Sequence, residues 1–217
     1  MRSGLLIFAK APELGQVKTR LELPPEDAID LHVAFLKDVI AQSAGDWVQE
    51  LWTTDSTHPL FDSFGLDVYA QSGETLGDRL ENAFVSARTR YDKIVVIGAD
   101  APSLPKALYA RAFERLEVVD TVLGPSCDGG FYLYGSRQDI PGLFRAPILW
   151  GTSSVLADLL KQINLGGASL TLLPFWFDVD RPTDLNLLKV LPRDFALEHT
   201  DKLLERWSFD EECERNR

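Results

Sequence analysis

Leu5-Leu-Ile-Phe-Ala-Lys-Ala-Pro-Glu-Leu-Gly-Gln-Val-Lys-Thr-Arg-Leu21 contains the transition that decides the fold. The uninterrupted apolar run Leu5–Ala9 has the character of a strand buried on both faces, as the strands of a parallel sheet are. Behind it the chain enters a loop with Pro12 and Gly15 that carries Lys10, Lys18 and Arg20. The whole chain is acidic, with a formal net charge of -11, so three cations in one early loop call for an anionic ligand. The phosphates of a nucleotide are the simplest such ligand, because Lys supplies point charge and Arg a two-pronged fork for phosphate oxygens. A solvated surface loop is the plain alternative; a position directly behind a buried strand favours the ligand.

Outward from this stretch, strand and helix patterns alternate. Pro24-Pro25-Glu26-Asp27 opens a helix, since proline suits the first turn and acids suit the positive end of the helix dipole; Ile29, Val33, Leu36 and Ile40 then repeat at helical spacing. Strands are expected over Trp47–Thr53 and Leu66–Tyr69, a helix over Leu76–Arg90, and a buried strand over Lys93–Gly98. A helix over Leu104–Leu116 follows, opened by Pro105. Val118–Leu123 and Phe131–Tyr134 read as strands on either side of the glycine-rich turn Gly124–Gly130. A helix over Thr152–Ile163 capped by Thr152 or Ser153, a strand over Leu170–Phe177, and helices over Pro182–Leu191 and Ala196–Trp207 complete the pattern. Such alternation implies right-handed crossovers and a mostly parallel sheet covered on both faces. The expected architecture is a single-domain, Rossmann-like, three-layer α/β sandwich over residues 1–207, with a charged tail at 208–217.

Composition narrows the classes further. At 217 residues the chain suffices for one domain with a sizeable core, and 45% hydrophobic with 25% charged residues is ordinary globular usage. The acidic balance speaks against nonspecific nucleic-acid binding and against attraction to membranes through basic segments. Cys127 and Cys213 are too few for a disulfide framework and lack metal-ligand spacing. The apolar run before Lys10 is too brief for a signal-peptide core, and no stretch is long enough to span a bilayer, so a soluble cytoplasmic protein is expected. His32, His58 and His199 are scattered and read as structural. No nucleophile elbow, Walker loop or dinucleotide fingerprint is present.

Ligands of open parallel sheets bind outside the carboxyl ends of the strands, and four such ends here carry polar or glycine-rich loops. The basic loop is the first. In the second, Asp100 follows a buried strand between Gly98 and Pro102; it can cap the next turn or hold a hard cation such as magnesium beside substrate phosphates. In the third, Asp128-Gly129-Gly130 permits close backbone approach to a ligand, with Asp128 bonding a hydroxyl, and is equally a hairpin signal. In the fourth, alternation along an extended Phe177–Asp180 points Asp178 and Asp180 to one face, where a metal or a basic neighbour would relieve their repulsion; capping of the helix begun at Pro182 is the alternative. Trp150, ahead of Gly151 and Thr152, can stack on a ligand or anchor its loop.

These motifs together resemble the family of uncharacterised proteins sharing domain of unknown function 2064, which is related to MobA-like nucleotidyltransferases. The resemblance runs from Leu5 to Leu191 through FAKAPELGQVKTRL, QSGETLGDRL (Gln71–Leu80), IGADAPSL (Ile97–Leu104), GPSCDGGFYLYG (Gly124–Gly135), LWGTSSVL (Leu149–Leu156) and DVDRPTDL (Asp178–Leu185). It implies the glycosyltransferase-A, or nucleotide-diphospho-sugar transferase, fold. It also implies a nucleotide or nucleotide-sugar donor with a small-molecule acceptor, and magnesium or manganese as cofactor. By the resemblance, Lys10, Gly15, Lys18, Thr19 and Arg20 cradle the donor's phosphates, with Lys18, Arg20 and Asp100 catalytic. Asp100 holds the metal, with Asp178 or Asp180 as second ligand. Gln71, Gly73 and Arg79 help to form the donor site, and Asp128, Gly129, Gly130, Trp150 and Thr152 meet the sugar or acceptor. Two positions depart from the pattern: Ala99 and Ala101 flank Asp100 where a polar residue or cysteine is frequent, and Cys127 stands where an acid is frequent.

Two reactions fit these residues. Gly98 stands two places before Asp100, where many metal-dependent glycosyltransferases have a second aspartate, and with the strongly basic first loop this favours nucleotidyl transfer onto a small phosphorylated acceptor. Glycosyl transfer from a nucleotide sugar is the alternative. A nucleotide-binding protein without catalysis is a third reading, opposed by the presence of Asp100, Asp178 and Asp180. Monomer and homodimer are both open.

Overall fold

The structure, a computed structural model, describes the backbone of residues 1–194 and 196–215 and the side chains of residues 1–194 and 196–208. Among the described residues seven strands form one sheet in the order β3-β2-β1-β4-β6-β5-β7. In chain order they are β1 (Ser3–Ala9), β2 (Val48–Thr53), β3 (Asp67–Ala70), β4 (Lys93–Gly98), β5 (Thr121–Pro125), β6 (Phe131–Ser136) and β7 (Leu170–Leu172). The helices are α1 (Pro25–Gln42), α2 (Leu76–Arg88), α3 (Lys106–Arg115), α4 (Val155–Leu165), α5 (Pro182–Val190) and α6 (Glu198–Arg215). β1 pairs in parallel with β2 and β4, and β2 with β3. β6 alone runs backwards, antiparallel to both β4 and β5, while β7 returns parallel to β5. The expected mostly parallel α/β sandwich is the fold observed.

The strand sequences explain the layers. Leu5, Ile7, Val95 and Ile97 face one side, where they meet Leu36 and Val39 of α1 and Tyr109, Ala112 and Phe113 of α3. Leu6, Ile94 and Val96 face the other, packing on Leu80, Ala83 and Phe84 of α2 and on Val155, Leu159 and Ile163 of α4. The stretches Leu5–Ile7 of β1 and Ile94–Ile97 of β4 are buried on both faces and wholly apolar, which is why these strands read as near-continuous runs. A third cluster joins Leu31, Ala34 and Phe35 of α1 to Leu185 and Leu188 of α5 and to Leu203 and Leu204 of α6, and it also takes in Leu21 and Val179. Asp38, buried in α1, accepts the His199 and Thr200 amides at 3.0 and 2.8 Å and so ties down the exposed donors at the start of α6.

Several expected boundaries move. The strand expected to run to Phe177 ends at Leu172, because Pro174 cannot donate to a ladder; chain pairing resumes where Trp176 N–H donates to Pro125 at 3.1 Å. The strand expected from Val118 starts at Thr121, because the Val118 and Val119 amides are spent on Arg115 at the end of α3. The helix expected to be capped by Thr152 or Ser153 starts at Val155 behind Ser154, and the Thr152 hydroxyl donates instead to Leu149 at 2.7 Å. A 3-10 helix at Pro59–Phe64, entered through His58 as N-cap, was not expected. The backbone of α6 runs on to Arg215, beyond the expected end at Trp207. Of the tail expected at 208–217, residues 216–217 and the side chains beyond Ser208 lie outside the described residues. Among the described residues no helix is long and apolar enough to cross a membrane.

Candidate active site

With β6 alone reversed, the carboxyl ends of the other strands lie along one edge of the sheet, and the four loops singled out in the sequence all leave from it or turn there. Backbone and side-chain bonds lock three of them together. Val179 N–H donates to the Asp100 carbonyl at 2.7 Å, joining the segment after β7 to the end of β4. Ser126 Oγ, at the end of β5, donates to Asp178 Oδ2 at 2.8 Å, and Trp176 Nε1 donates to Ser103 at 3.2 Å. Val179 is fully buried in the α1–α5–α6 cluster, so its neighbours Asp178 and Asp180 share the opposite face, as the alternation required.

Lys18 enters this constellation from the basic loop. Its backbone sits at φ 49, a conformation that costs a residue with a side chain about 1 kcal/mol and aims the stem inward. The side chain is 2% exposed; its ammonium donates to Asp100 Oδ1 at 2.5 Å and to the Val179 carbonyl at 2.8 Å, with Asp180 Oδ1 at 3.9 Å. The Phe35 ring lies beneath it, 4.7 Å from Nζ. Lys18 therefore bridges the second and fourth loops, while Lys10, Thr19 and Arg20 of the same loop stay exposed.

The carboxylates differ in their electrostatics. Burial pushes Asp100 up, but the Lys18 ammonium and its hydrogen bond, helped by His32 and Lys10, outweigh it and hold the group below the usual carboxylate range. Among the described residues no ion pair reaches Asp178. Burial, and then the Asp100, Asp128 and Asp180 charges, push it up to about 7 against the Ser126 hydrogen bond. Asp180 is raised by burial and by Asp100, with Lys18 and Arg20 opposing. His32 was read as structural, and it is buried beneath the loop: burial lowers its pKa, and its Nε2–H donates to the Lys10 carbonyl at 2.9 Å.

Lys10, whose charge reaches Asp100, also lines a polar cleft of about 420 Å³ with Ala11, Glu13, Gln16, Thr54 and Arg79. That size suits a small-molecule ligand such as a nucleotide. Lys10 Nζ donates to the Gln16 carbonyl at 3.1 Å, and Arg79 Nε to the Gly73 carbonyl at 3.1 Å, so each cation is steadied by one bond. Gln71 lies across the ends of β1 and β2, its amide donating to the Trp52 carbonyl at 2.9 Å and lying 3.5 Å from the Ala9 carbonyl. The Thr75–Asp78 capping box fixes the start of α2 and with it Arg79.

The glycine-rich turn is a hairpin between β5 and β6, so the structural reading of Asp-Gly holds, and it sits at the same edge as Asp100. Asp128 Oδ1 accepts from Gly130 N–H at 2.9 Å. Gly129 has φ 90, and a Cβ there would lie 2.2 Å from the Ser153 carbonyl oxygen, which brings the segment around Thr152 against the turn. Trp150 packs under its loop: a Cβ on Gly77 would meet its Nε1 at 2.7 Å, and its ring centre lies 6.5 Å from that of Phe144. Anchoring is thus a role Trp150 fills in this structure. Ser126 was missed from the sequence; its position ahead of Cys127-Asp128 was the available signal.

The donor set fits a hard divalent cation in one respect: Asp100, Asp178, Asp180 and the nearby Asp128 carry more negative charge than Lys18 offsets. Among the described residues no group of three His, Cys, Asp or Glu forms a ready-made cage. Magnesium-type sites need none, since they use one or two carboxylates with water and substrate phosphates for the rest.

The fold and the strand-end site define the chain as one built on the nucleotide-diphospho-sugar transferase plan. Residues 30–152 match the family described as "Uncharacterized protein conserved in bacteria (DUF2064)", and the chain belongs to that family. A solved protein from Desulfovibrio desulfuricans G20, whose proposed class is nucleotide-diphospho-sugar transferase, is 30% identical with a TM-score of 0.87 over 95% of both chains. CMP:2-keto-3-deoxy-manno-octonic acid synthetase, solved with CTP, shares the fold at 12% identity and a TM-score of 0.58, over 87% of this chain and 97% of its own. The Rv0371c protein of Mycobacterium tuberculosis H37Rv, solved with manganese, shares it at 20% identity and a TM-score of 0.51, over 87% and 98%. No protein of curated function matches the sequence.

Proposed function

We propose that the chain is a transferase that uses a nucleoside triphosphate or nucleotide-diphospho-sugar donor together with magnesium or manganese. The observation that carries this reading is the pairing of Lys18 with Asp100 and Asp180, with Asp178 held close by through Ser126, together with a polar cleft lined by Lys10 and Arg79. The donor would lie in that cleft, its phosphates reaching the carboxylate end. Lys10, Arg20 and Arg79 would orient the phosphate oxygens, with the backbone of the Gly15–Thr19 loop and Gln71 completing the enclosure. Asp100 with Asp178 or Asp180 would hold the cation, which supplies Lewis-acid stabilisation of charge on the phosphates as the bond breaks. Positioning and charge neutralisation are most of what such a transfer asks of a protein. The CTP complex and the manganese complex of proteins sharing this fold support a nucleotide and a divalent cation.

The cationic load of the donor side suits nucleotidyl transfer, in which an acceptor attacks the α-phosphate and pyrophosphate leaves. The acceptor side favours a second reading. Segments 126–130, 149–154 and 173–180 contain Asp128, Asp178 and Asp180 and not one Lys or Arg. A phosphorylated acceptor would be repelled there, whereas a hydroxyl could donate to Asp128. Attack of such a hydroxyl on the sugar carbon of a nucleotide sugar, with the nucleoside diphosphate leaving, is glycosyl transfer.

A thermal-shift screen of nucleoside triphosphates and nucleotide sugars, each with and without magnesium, tests the proposal, since a ligand bound to the folded state raises Tm by mass action. Metal-dependent stabilisation by triphosphates alone supports nucleotidyl transfer, and by sugar conjugates glycosyl transfer. No stabilisation by any donor overturns the nucleotide reading.

A further inference from the structure

An ammonium group has three donors, and those of Lys18 are turned toward Asp100, the Val179 carbonyl and Asp180. All belong to the carboxylate end of the site. With 2% of its side chain exposed and an aromatic ring beneath the ammonium, Lys18 is far from a free phosphate ligand waiting for a donor. Lys10 and Arg20, by contrast, are exposed cations of the same loop.

The geometry points to Lys18 as the resident counter-cation of the carboxylate cluster, filling the place that a divalent cation would take. This inference rests on the proposed metal reading. Two cations cannot share Asp100 Oδ1 at close range without strong repulsion, because the surroundings are partly screened from water. Lys18 must therefore release Asp100 before a divalent cation takes it, and the freed ammonium, held on the donor side of the cluster by its own loop, becomes available to an incoming phosphate. Metal binding and phosphate binding are then coupled through one side chain. By linkage each ligand favours the other, since a phosphate that attracts Lys18 also vacates Asp100. The Asp180 carboxylate, 3.9 Å from Nζ, lies within reach of either cation. Without metal, Lys18 keeps the cluster from being a set of uncompensated acids, which explains a buried lysine on a strained backbone.

The test is manganese binding in the absence of nucleotide, followed by electron paramagnetic resonance, for the wild-type chain and for Lys18→Met. The methionine keeps the length of the stem and removes the charge. Loss of the competing cation should tighten manganese binding by about tenfold, a modest share of the attraction within a buried ion pair. Equal or weaker binding by the variant overturns the exchange while leaving the metal reading intact. Binding by neither protein overturns both.

Lys18→Met leaves buried carboxylates without their partner and can fail to fold, so a second measurement uses the unaltered chain. Acetylation of individual lysines is read by peptide mass spectrometry with and without saturating manganese. Lys18 should be protected in metal-free protein and gain reactivity several-fold with metal, while the exposed Lys10 changes little. Equal protection of Lys18 in both states contradicts the exchange.

Discussion

The amide of Val179 donates to the carbonyl of Asp100 across 2.7 Å, so a residue buried in the C-terminal cluster fixes the two acids on either side of it against the end of the central strand β4. Val179 puts its side chain among Leu21, Phe35, Leu185 and Leu204, which links the basic loop, α1 and both C-terminal helices to the spacing between Asp100 and Asp178. The carboxylate geometry therefore depends on packing far from any ligand.

Asp38→Ala tests that dependence. Removing the carboxylate strips the His199 and Thr200 amides of their acceptor, at a cost of about 1–2 kcal/mol for a lost cap. Hydrogen exchange should rise over the first turns of α6, and donor affinity should fall with it. Faster exchange in α6 with unchanged donor affinity would show that the cluster does not set the site.

Acid should stabilise the metal-free protein. Asp178 holds its proton up to about 7 in the folded chain, whereas an unfolded Asp releases it in the usual carboxylate range. The folded state then binds more protons in between, so the contribution is complete below the unfolded pKa and is lost as pH rises through the folded one. Asp180, also raised, acts in the same direction; Asp100, lowered, acts oppositely and only in stronger acid. Between about pH 8 and pH 5 the folded state should gain roughly 1 kcal/mol of stability, read as a rise in Tm; this is about half the linkage over that window, because water still reaches the carboxyl. Asp178→Asn should remove most of that slope, and an unaltered slope would refute the assignment.

Glu50 is a buried charge whose loss should be costly in stability. It is fully buried on β2, where Arg90 donates to both its oxygens at 2.9 Å, Tyr91 Oη at 2.8 Å and Trp52 Nε1 at 3.1 Å. Glu50→Ala leaves a half-buried guanidinium without its partner, a loss of about 3–5 kcal/mol for buried pairs. Urea unfolding should show that loss, with metal binding intact in the fraction that folds.

Gly129→Ala should disrupt the hairpin tip. It combines a left-handed φ of 90 with a backbone oxygen 2.2 Å from the new Cβ, so strain and clash add. A fall in stability of about 2 kcal/mol or more is expected by calorimetry, with weaker acceptor binding if the turn meets the acceptor. A stability within error of wild type would mean that the turn moves freely away from Ser153.

The legibility of this chain followed the range of the forces involved. Leu5–Ala9 and Ile94–Ile97 were readable because burial on both faces leaves no polar position, and Gly124–Gly130 was readable as a turn. The reversal of β6 and its insertion between β4 and β5 were not, since strand order is set by which surfaces pack. The alternation at Asp178 and Asp180 was visible locally. The bridge from Lys18 to Asp100 was hidden, because the two are 82 residues apart and Lys18 takes an unusual backbone angle. Ser126 escaped notice because its only signal was a place ahead of Cys127-Asp128, and Glu50 because one acid in an alternating strand resembles an exposed position.

The proposed site is tested most directly by isothermal calorimetry of the wild-type chain and Asp100→Asn. The titrant is the donor that the thermal-shift screen identifies, used with and without magnesium. Magnesium should strengthen binding to the wild-type chain at least about tenfold, the usual scale of coupling between linked sites, and should make no difference to Asp100→Asn. Equal strengthening in both proteins would contradict a metal held at Asp100.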